Sequence, residues 1–207
     1  MRPPRRYWPR TPPSRNPPRP DPVRTVTGWQ LRHAARVMRE GGVVAYPTES
    51  VYGLGCDPWD AVAVMRLLGL KRRSFTKGLI LIAADFNQIA PWLAAPTAAL
   101  CKKLTQKTPR PVTWLVDAPD APLWIRGEHP KLAVRIIKHP IAAALCNAYG
   151  GPIVSTSANI SGGASARNPL RVRKLFRDQV DCIISGEVGP YKAVSEIRDL
   201  GTGARYR

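Results

Sequence analysis

The sequence predicts an α/β fold: one domain built on a mixed β-sheet with flanking helices. Three observations carry that expectation. Short apolar runs of strand length alternate with longer runs of helical periodicity. Several successive strands lie close enough in sequence to pair as hairpins, so antiparallel pairs are expected beside crossover ones. The chain has 207 residues, 44% of them hydrophobic, enough for one ordinary core, and no internal repeat is visible.

Each element follows from a local signal. Thr27 caps a helix over "GWQLRHAARVMRE", with Trp29, Leu31, Ala34, Ala35, Val37 and Met38 on its apolar side and Gly41-Gly42 as the stop. "VVAY" is a short buried strand, and "PTESVYGLGCDP" a loop rich in turn formers. "DAVAVMRLLGLKRR" is helical, with Asp60 near its start, an apolar face in Val62, Met65, Leu67 and Leu68, and a basic end. "GLILIAA" is the cleanest buried strand. "NQIAPWL" and "TAALCKKL" read as helices, "PVTWLVDA" and "LAVRII" as strands, with "PDAPLWIRGEHPK" a loop between those strands. "HPIAAALCNAYGG" is a helix ending in glycine, and "PIVSTSA" a strand. A basic helix around "LRVRKLFRDQV", the strand "DCIIS" and a strand or loop at "SEIRDLG" complete the order.

Charge narrows the partners. The net charge is +18, from 32 Lys+Arg against 14 Asp+Glu, which points to nucleic acid or phosphates. Residues 1–25 hold seven Arg, one Asp and nine of the 22 Pro. Prolines at that density exclude a helix or a central strand, so this stretch reads as a disordered tail of polyproline II character. It has no apolar core for a signal peptide, and its prolines forbid the amphipathic helix of a transit peptide. It reads as a basic arm for RNA or as a stretch upstream of the true reading start. Six of the eighteen excess positive charges sit there; the other twelve belong to residues 26–207, the folded unit. No apolar run approaches a membrane span. Cys56, Cys101, Cys146 and Cys182 form no CxxC pair and read as small core residues, in keeping with a cytoplasmic protein. His33, His129 and His139 lack metal-ligand spacing and read as surface or capping residues.

Four polar constellations fall at strand ends or in loops, where α/β sheets place ligands. "YPTESVYGLG" follows a buried strand with Thr48 and Glu49, and Gly53 and Gly55 allow close approach to the backbone. "LKRRSFTKG" sets Lys71, Arg72, Arg73 and Lys77 between a helix and the best strand. Residues 71 and 73 lie on different sides of an ideal helix, so only a fraying end or a loop aims both at one phosphate chain. Arg135 stands inside an apolar strand, where a charge must pair, bind something or face water at an edge. "PIVSTSANISGG" turns from apolar residues to hydroxyls and an amide, which suit an oxyanion, ribose hydroxyls or a base edge. No Walker A loop, no GxGxxG and no GxSxG elbow is present, so Ser157 is a poor nucleophile.

Together "AYPTESVYGLGCDP", "LKRRSFTKGLILIA", "PVTWLV", "LAVRI", "PIVSTSANISG" and "SEIRD" resemble, in order and spacing, the threonylcarbamoyl-AMP synthase family, the YrdC-like proteins of the bacterial short form. The likeness covers roughly residues 28 to 203. It implies a twisted mixed sheet with a basic concave face. It also implies formation of threonylcarbamoyl-AMP and pyrophosphate from L-threonine, bicarbonate and ATP, with magnesium expected on the ATP phosphates. The product would serve threonylcarbamoyladenosine modification of tRNA reading ANN codons, through partner proteins that transfer the group to tRNA. The family's Lys-x-Arg and Ser-x-Asn signature falls on Lys71, Arg73, Ser157 and Asn159. Its threonine-contacting Thr falls on Thr48, its nucleotide-contacting Thr on Thr113 and its strand Arg on Arg135; Ser155 shares the Ser-Thr-Ser run, and Ser195 is the late serine that closes the site. On this likeness Lys71, Arg73 and Arg135 are the catalytic cations, the other six bind substrate or nucleotide, and no protein metal cage is expected. Arg110 stands where the family often has Gly, and Arg takes a positive φ less readily. The contrasting expectation is a basic RNA-binding module without chemistry, which needs neither strand-end hydroxyls nor Arg135.

Overall fold

The computed structural model describes residues 26–206, and the Pro/Arg-rich stretch 1–25 lies outside the described residues. The elements run α1 (Gly28–Arg39), β1 (Val44–Pro47), β2 (Tyr52–Gly55), α2 (Ala61–Lys71), β3 (Ile80–Ala83), α3 (Phe86–Ile89), α4 (Ala98–Thr105) and β4 (Val112–Asp117). They continue with α5 (Leu123–Arg126), β5 (Lys131–Ile136), α6 (Pro140–Tyr149), β6 (Ile153–Ser157), α7 (Pro169–Phe176), β7 (Cys182–Ile183) and β8 (Glu196–Asp199). The strands form one mixed, eight-stranded sheet in the order β7-β1-β2-β6-β3-β5-β4-β8.

Caps fix the helix starts. Thr27 and Gln30 make a reciprocal capping box on α1, and Asp60 accepts from the backbone of Val62 and Ala63 on α2. Such caps stabilise a helix by about 1 kcal/mol each. The apolar faces differ from the sequence expectation at three residues. Trp29 is exposed and stacks on His33, while Val62 and Met65 point to solvent. The buried side of α2 carries Ala63, Val64, Leu67, Leu68 and Lys71. Lys71 therefore occupies the next core position after Val64 and Leu67 at helical spacing.

Two stretches read as loops acquire structure, and two other readings are refined. Tyr52–Gly55, read as loop, pairs antiparallel with β1 as a hairpin strand. It is a strand of glycines because the Tyr46 ring and the Val154 carbonyl leave no room for a Cβ at Gly55. The segment between β4 and β5 contains α5, and "NQIAPWL" divides into α3 and a 3-10 turn at Ala90–Trp92. "SEIRDLG" resolves as β8, parallel to β4. Arg110 is not among the described non-glycine residues with positive φ, which are Arg72 and Arg177.

The two sheet faces are covered unequally. Leu81, Val134, Trp114 and Val154 look into the larger core, which Val64 and Leu67 of α2 and Val172 of α7 share. Ile82, Ile153 and Tyr46 pack on the opposite face under α1 and α6. That second cover is partial. Ser155, Ile80, Ala133, Leu115 and Asp199 form a continuous cross-strand row by register, and all five line an open cavity. The strands thus alternate between core and cavity, as period-two side chains must.

Candidate active site

The cavity is about 490 Å³, within the range that ordinary small-molecule sites occupy. Strand β5 lines it with Lys131, Ala133 and Arg135. Arg135 lies four strand steps from Lys131, about 13 Å at the usual rise.

At the deep end, Arg135 lies beside the β1–β2 turn. Thr48 closes that turn by donating its hydroxyl to the Val51 carbonyl at 2.7 Å. Glu49 folds behind it; its Oε1 accepts the Lys138 N–H at 2.8 Å, and its Oε2 stands 3.6 Å from Arg135 Nη2. Arg135 Nε and Glu49 Oε2 are both buried without a hydrogen-bond partner among the described residues. Ser50 ties this turn to the Ala193 carbonyl at 2.7 Å, next to Ser195. Thr113 and Ser195 share a hydroxyl hydrogen bond of 2.8 Å, with Ser195 on the cavity wall and Thr113 fully buried behind it.

At the other end, helix α2 stops because Arg72 adopts φ 51° and ψ 49°, the left-handed region. That turn sends Lys71 and Arg73 to different places. Arg73 lines the cavity and donates to the carbonyls of Gly78 at 3.1 Å and Lys77 at 3.4 Å. Its Nε is also buried without a partner, and burial lowers its pKa. Lys77, Arg126 and His129 continue this basic wall. Lys131 is already committed, bonding Asp199 at 2.8 Å with Asp117 at 3.7 Å. The bond from Lys131 and backbone N–H groups hold the Asp199 carboxyl at about 2.

Lys71 is not on the cavity wall. It is 2% exposed, and its ammonium donates to the carbonyls of Ser157 and Asn159 and to Asn159 Oδ1. Ser157 donates its hydroxyl to the same Asn159 Oδ1 at 2.6 Å, and Asn159 Nδ2 ties down the Ile160 and Gly163 carbonyls. Burial, and then the charge of Arg73, push the Lys71 pKa down to about 8. Lys71, Ser157 and Asn159 are therefore one interlocked unit. The lysine serves it from behind; it does not face the cavity as a free cation.

Of the nine residues singled out from the sequence, Thr48, Arg73, Arg135, Ser155, Ser157 and Ser195 line one cavity. Lys71, Asn159 and Thr113 support those residues one layer back. Arg126, His129, Lys131 and Tyr206 also line it and were not singled out. Alternation along β5 from Arg135 pointed to Lys131; nothing local marked the others. His139, read as a surface or capping residue, is 7% exposed at the start of α6. Among the described residues no cluster of His, Cys, Asp or Glu could hold a metal ion.

A family model named Sua5_yciO_yrdC, described as Telomere recombination, matches residues 36–206. The chain belongs to this Sua5/YciO/YrdC family. Within it, the chain is 50% identical over 180 residues to the Threonylcarbamoyl-AMP synthase of Nitrosococcus oceani, covering 86% of this chain and 97% of that protein. It is 50% identical over 175 residues to the protein of the same name from Cellvibrio japonicus, covering 84% and 93%. Among solved structures, P. abyssi Sua5 complexed with L-threonine matches with a TM-score of 0.77 at 33% identity, over 86% of this chain and 53% of that one. E. coli YciO matches with a TM-score of 0.75 at 25% identity, over 87% and 89%. The chain thus spans about half of the P. abyssi protein and nearly all of the curated relatives.

Proposed function

We propose that the chain is an enzyme of nucleotidyl transfer that makes threonylcarbamoyl-AMP and pyrophosphate from L-threonine, bicarbonate and ATP. The observation that carries this reading is a pair of half-buried guanidinium groups, Arg73 and Arg135, on the walls of one cavity, each with a buried Nε–H that has no hydrogen-bond partner among the described residues. A buried donor left unpaired is costly, so two of them converging on one space mark a site for anions. The names of the relatives, and the threonine complex of P. abyssi Sua5, supply the chemical identity of those anions.

The amino acid takes the deep end, its carboxylate on Arg135 and its hydroxyl near Thr48. ATP takes the other end, its phosphates on Arg73 and Lys77. Threonine's amine combines with bicarbonate, losing water, to give a carbamate. A carbamate oxygen then attacks the α-phosphorus, the bond from that phosphorus to the bridging oxygen breaks, and pyrophosphate leaves. The carbamate is a weak, short-lived nucleophile, so holding both reactants along one strand supplies much of the acceleration. Arg73 offsets charge on the phosphates as that bond breaks. Ser155 and Ser157 offer hydroxyls between the two ends, Asn159 and Lys71 hold that segment in place, and Thr113 fixes Ser195.

Magnesium would enter with ATP and would offset the charge on its phosphates. The donor set fits this arrangement, because Asp199 is committed to Lys131 and to the N–H groups of Gly201 and Thr202. The product is a mixed anhydride, so a transferase acting on tRNA must consume it, in the cytoplasm. No described helix is long and apolar enough to cross a membrane. A non-catalytic RNA-binding module would gain nothing from two guanidinium groups whose Nε–H is buried without a hydrogen-bond partner among the described residues.

The test is pyrophosphate release with threonine and bicarbonate omitted in turn, and mass detection of the AMP product. Release that requires both is expected. Release indifferent to either one overturns the reading.

A further inference from the structure

Helix α2 carries an apolar stripe on the side turned away from the core. Trp59, in the turn that leads into the helix, is 62% exposed, Val62 is 78% exposed and Met65 is 51% exposed. They follow at steps of three residues, and residues three apart on a helix lie side by side. The stripe runs on to Gly69, where an added Cβ would meet nothing within 4 Å. Neighbouring Arg66 is turned aside onto Asp181, at 2.7 Å. Exposed apolar side chains grouped in this way mark a surface that something covers.

The aromatic end of the stripe is firmly placed. The Trp59 ring stacks on buried Trp92 with centroids 4.2 Å apart. Trp59 N–H donates to Asp57 Oδ1 at 2.8 Å, and Trp124 Nε1 donates to the Pro58 carbonyl at 3.1 Å. The turn is therefore ordered before any ligand arrives. Asp57 and Asp60 flank Trp59 closely in sequence, and neither is in an ion pair among the described residues. In a strongly basic chain this spot combines an aromatic face, an apolar shelf and uncommitted negative charge.

That combination suits a proline-rich segment carrying arginines. Proline rings pack on aromatic faces, and guanidinium groups stack on tryptophan and pair with carboxylates. The chain carries such a segment itself. Residues 1–17 read MRPPRRYWPRTPPSRNP, with six Pro, five Arg and no acidic residue. The reach is sufficient. The described residues begin at the N-terminal end of α1, and a Cβ built on Gly41, just past the other end, would stand 3.0 Å from Asp60 Oδ2. The twelve residues of α1 span about 18 Å. Residues 18–25 cover about 25 Å as polyproline II, enough to bring residues 1–17 to the stripe.

We infer that residues 1–17 dock on the Trp59, Val62 and Met65 stripe of their own chain. The contact is intramolecular, so it need not be tight. A short tether gives an effective concentration on the order of 1 mM, and a dissociation constant of about 0.1 mM then keeps the segment docked about nine-tenths of the time.

Limited trypsin digestion of the full chain reads this docking, with initial cleavage rates followed by mass spectrometry. The bonds Arg6–Tyr7 and Arg10–Thr11 lie in the docked segment, and Arg24–Thr25 lies in the tether. Docking for nine-tenths of the time slows cleavage of the first two about tenfold. Met65→Lys removes apolar contact and repels the arginines. It should speed both cleavages about five- to tenfold and leave Arg24–Thr25 within about twofold. Trp59→Leu should act in the same way, and the exposed Met65 site keeps the test valid if the Trp92 packing loosens. Parent-like rates at all three bonds in both variants overturn the docking. Equal acceleration at all three bonds in Met65→Lys also overturns it, since general loosening would then be the cause. Protection that grows with protein concentration, or a parent dimer that Met65→Lys splits with tail cleavage unchanged, assigns the stripe to a second copy and overturns the intramolecular contact.

Discussion

Replacing Lys71 by Met keeps the aliphatic stem in the core and removes only the ammonium. Asn159 Oδ1 still receives the Ser157 hydroxyl, and the Ser157 carbonyl still receives the Asn159 N–H, so only the Asn159 carbonyl loses its sole partner. Leaving that buried acceptor unpaired costs roughly 1–3 kcal/mol. Against this, the fall of the Lys71 pKa from 10.5 to about 8 means the buried charge is itself disfavoured by roughly 3 kcal/mol, which methionine relieves. The two terms nearly cancel at neutral pH, so the change in stability should stay within about 2 kcal/mol and the change in Tm within about 6 °C for a domain this size. Because the slackened segment carries Ser157, catalysis should fall about tenfold or more. AMP and pyrophosphate affinities should fall together. A lysine that touched the phosphates directly would instead cost pyrophosphate far more than AMP. The pH dependence adds a second readout. Between about pH 8 and 10.5 the unfolded chain retains a proton that folded Lys71 has released, so wild-type stability gains over that window. The variant lacks this gain, and the gap in Tm should widen from pH 7.5 to 9.5. A loss confined to pyrophosphate, with no wild-type gain in Tm over the variant between pH 7.5 and 9.5, would refute the reasoning.

Arg73→Ala removes a cavity-wall guanidinium whose protein partners are two carbonyls, so pyrophosphate release should slow by roughly thirty- to a thousandfold while AMP binding changes less; kinetics within threefold of wild type would contradict its role. Arg72→Gly should raise Tm by a few degrees, since glycine takes the left-handed conformation at φ 51° with less strain and no partner of the Arg72 side chain is lost; a lower Tm in thermal melts would count against this. His139 is buried with its pKa lowered by desolvation and its Nε2–H on the Glu187 carbonyl. Below about pH 6.5 the unfolded chain gains a proton that the folded chain resists, so stability should fall as pH drops through that window. His139→Gln should flatten that acid slope in melts taken from pH 7.5 to 5.5, and an identical slope would disprove the assignment.

The sequence made the alternation of strands and helices legible because period and caps are local: Thr27, Asp60 and the run Leu79–Ala83 each signal their element without help from the rest of the chain. The β2 hairpin strand was not legible, since two glycines argue for a loop until the Tyr46 ring is known to lie against them. Lys71 was misplaced for a related reason. Val62 and Met65 look like core residues by type, yet the buried stripe runs through Val64, Leu67 and Lys71, and only the packed sheet decides the phase of a helix apolar on several sides. The hydroxyl-rich end of β6 and Arg135 stood out because polar groups interrupt apolar strands there. Tyr206, Arg126 and His129 reach the same cavity from short or irregular segments distant in sequence, where no periodicity singles out one residue.

Strand β5 reads Lys131, Leu132, Ala133, Val134, Arg135, Ile136, alternately cavity and core, between a parallel neighbour on one side and an antiparallel one on the other. Deleting a residue such as Ala133 inside this strand would invert the part beyond it, driving Arg135 into the hydrocarbon and turning Val134 and Ile136 toward the cavity. An insertion at Pro119 or Asp120, in the connection that precedes α5, only lengthens a surface turn. Lineages carrying this fold should therefore drift in length between β4 and β5 while holding the strand itself to a fixed frame, and a library of single-residue deletions scanned along residues 118–137 would show tolerance ending abruptly where the strand begins.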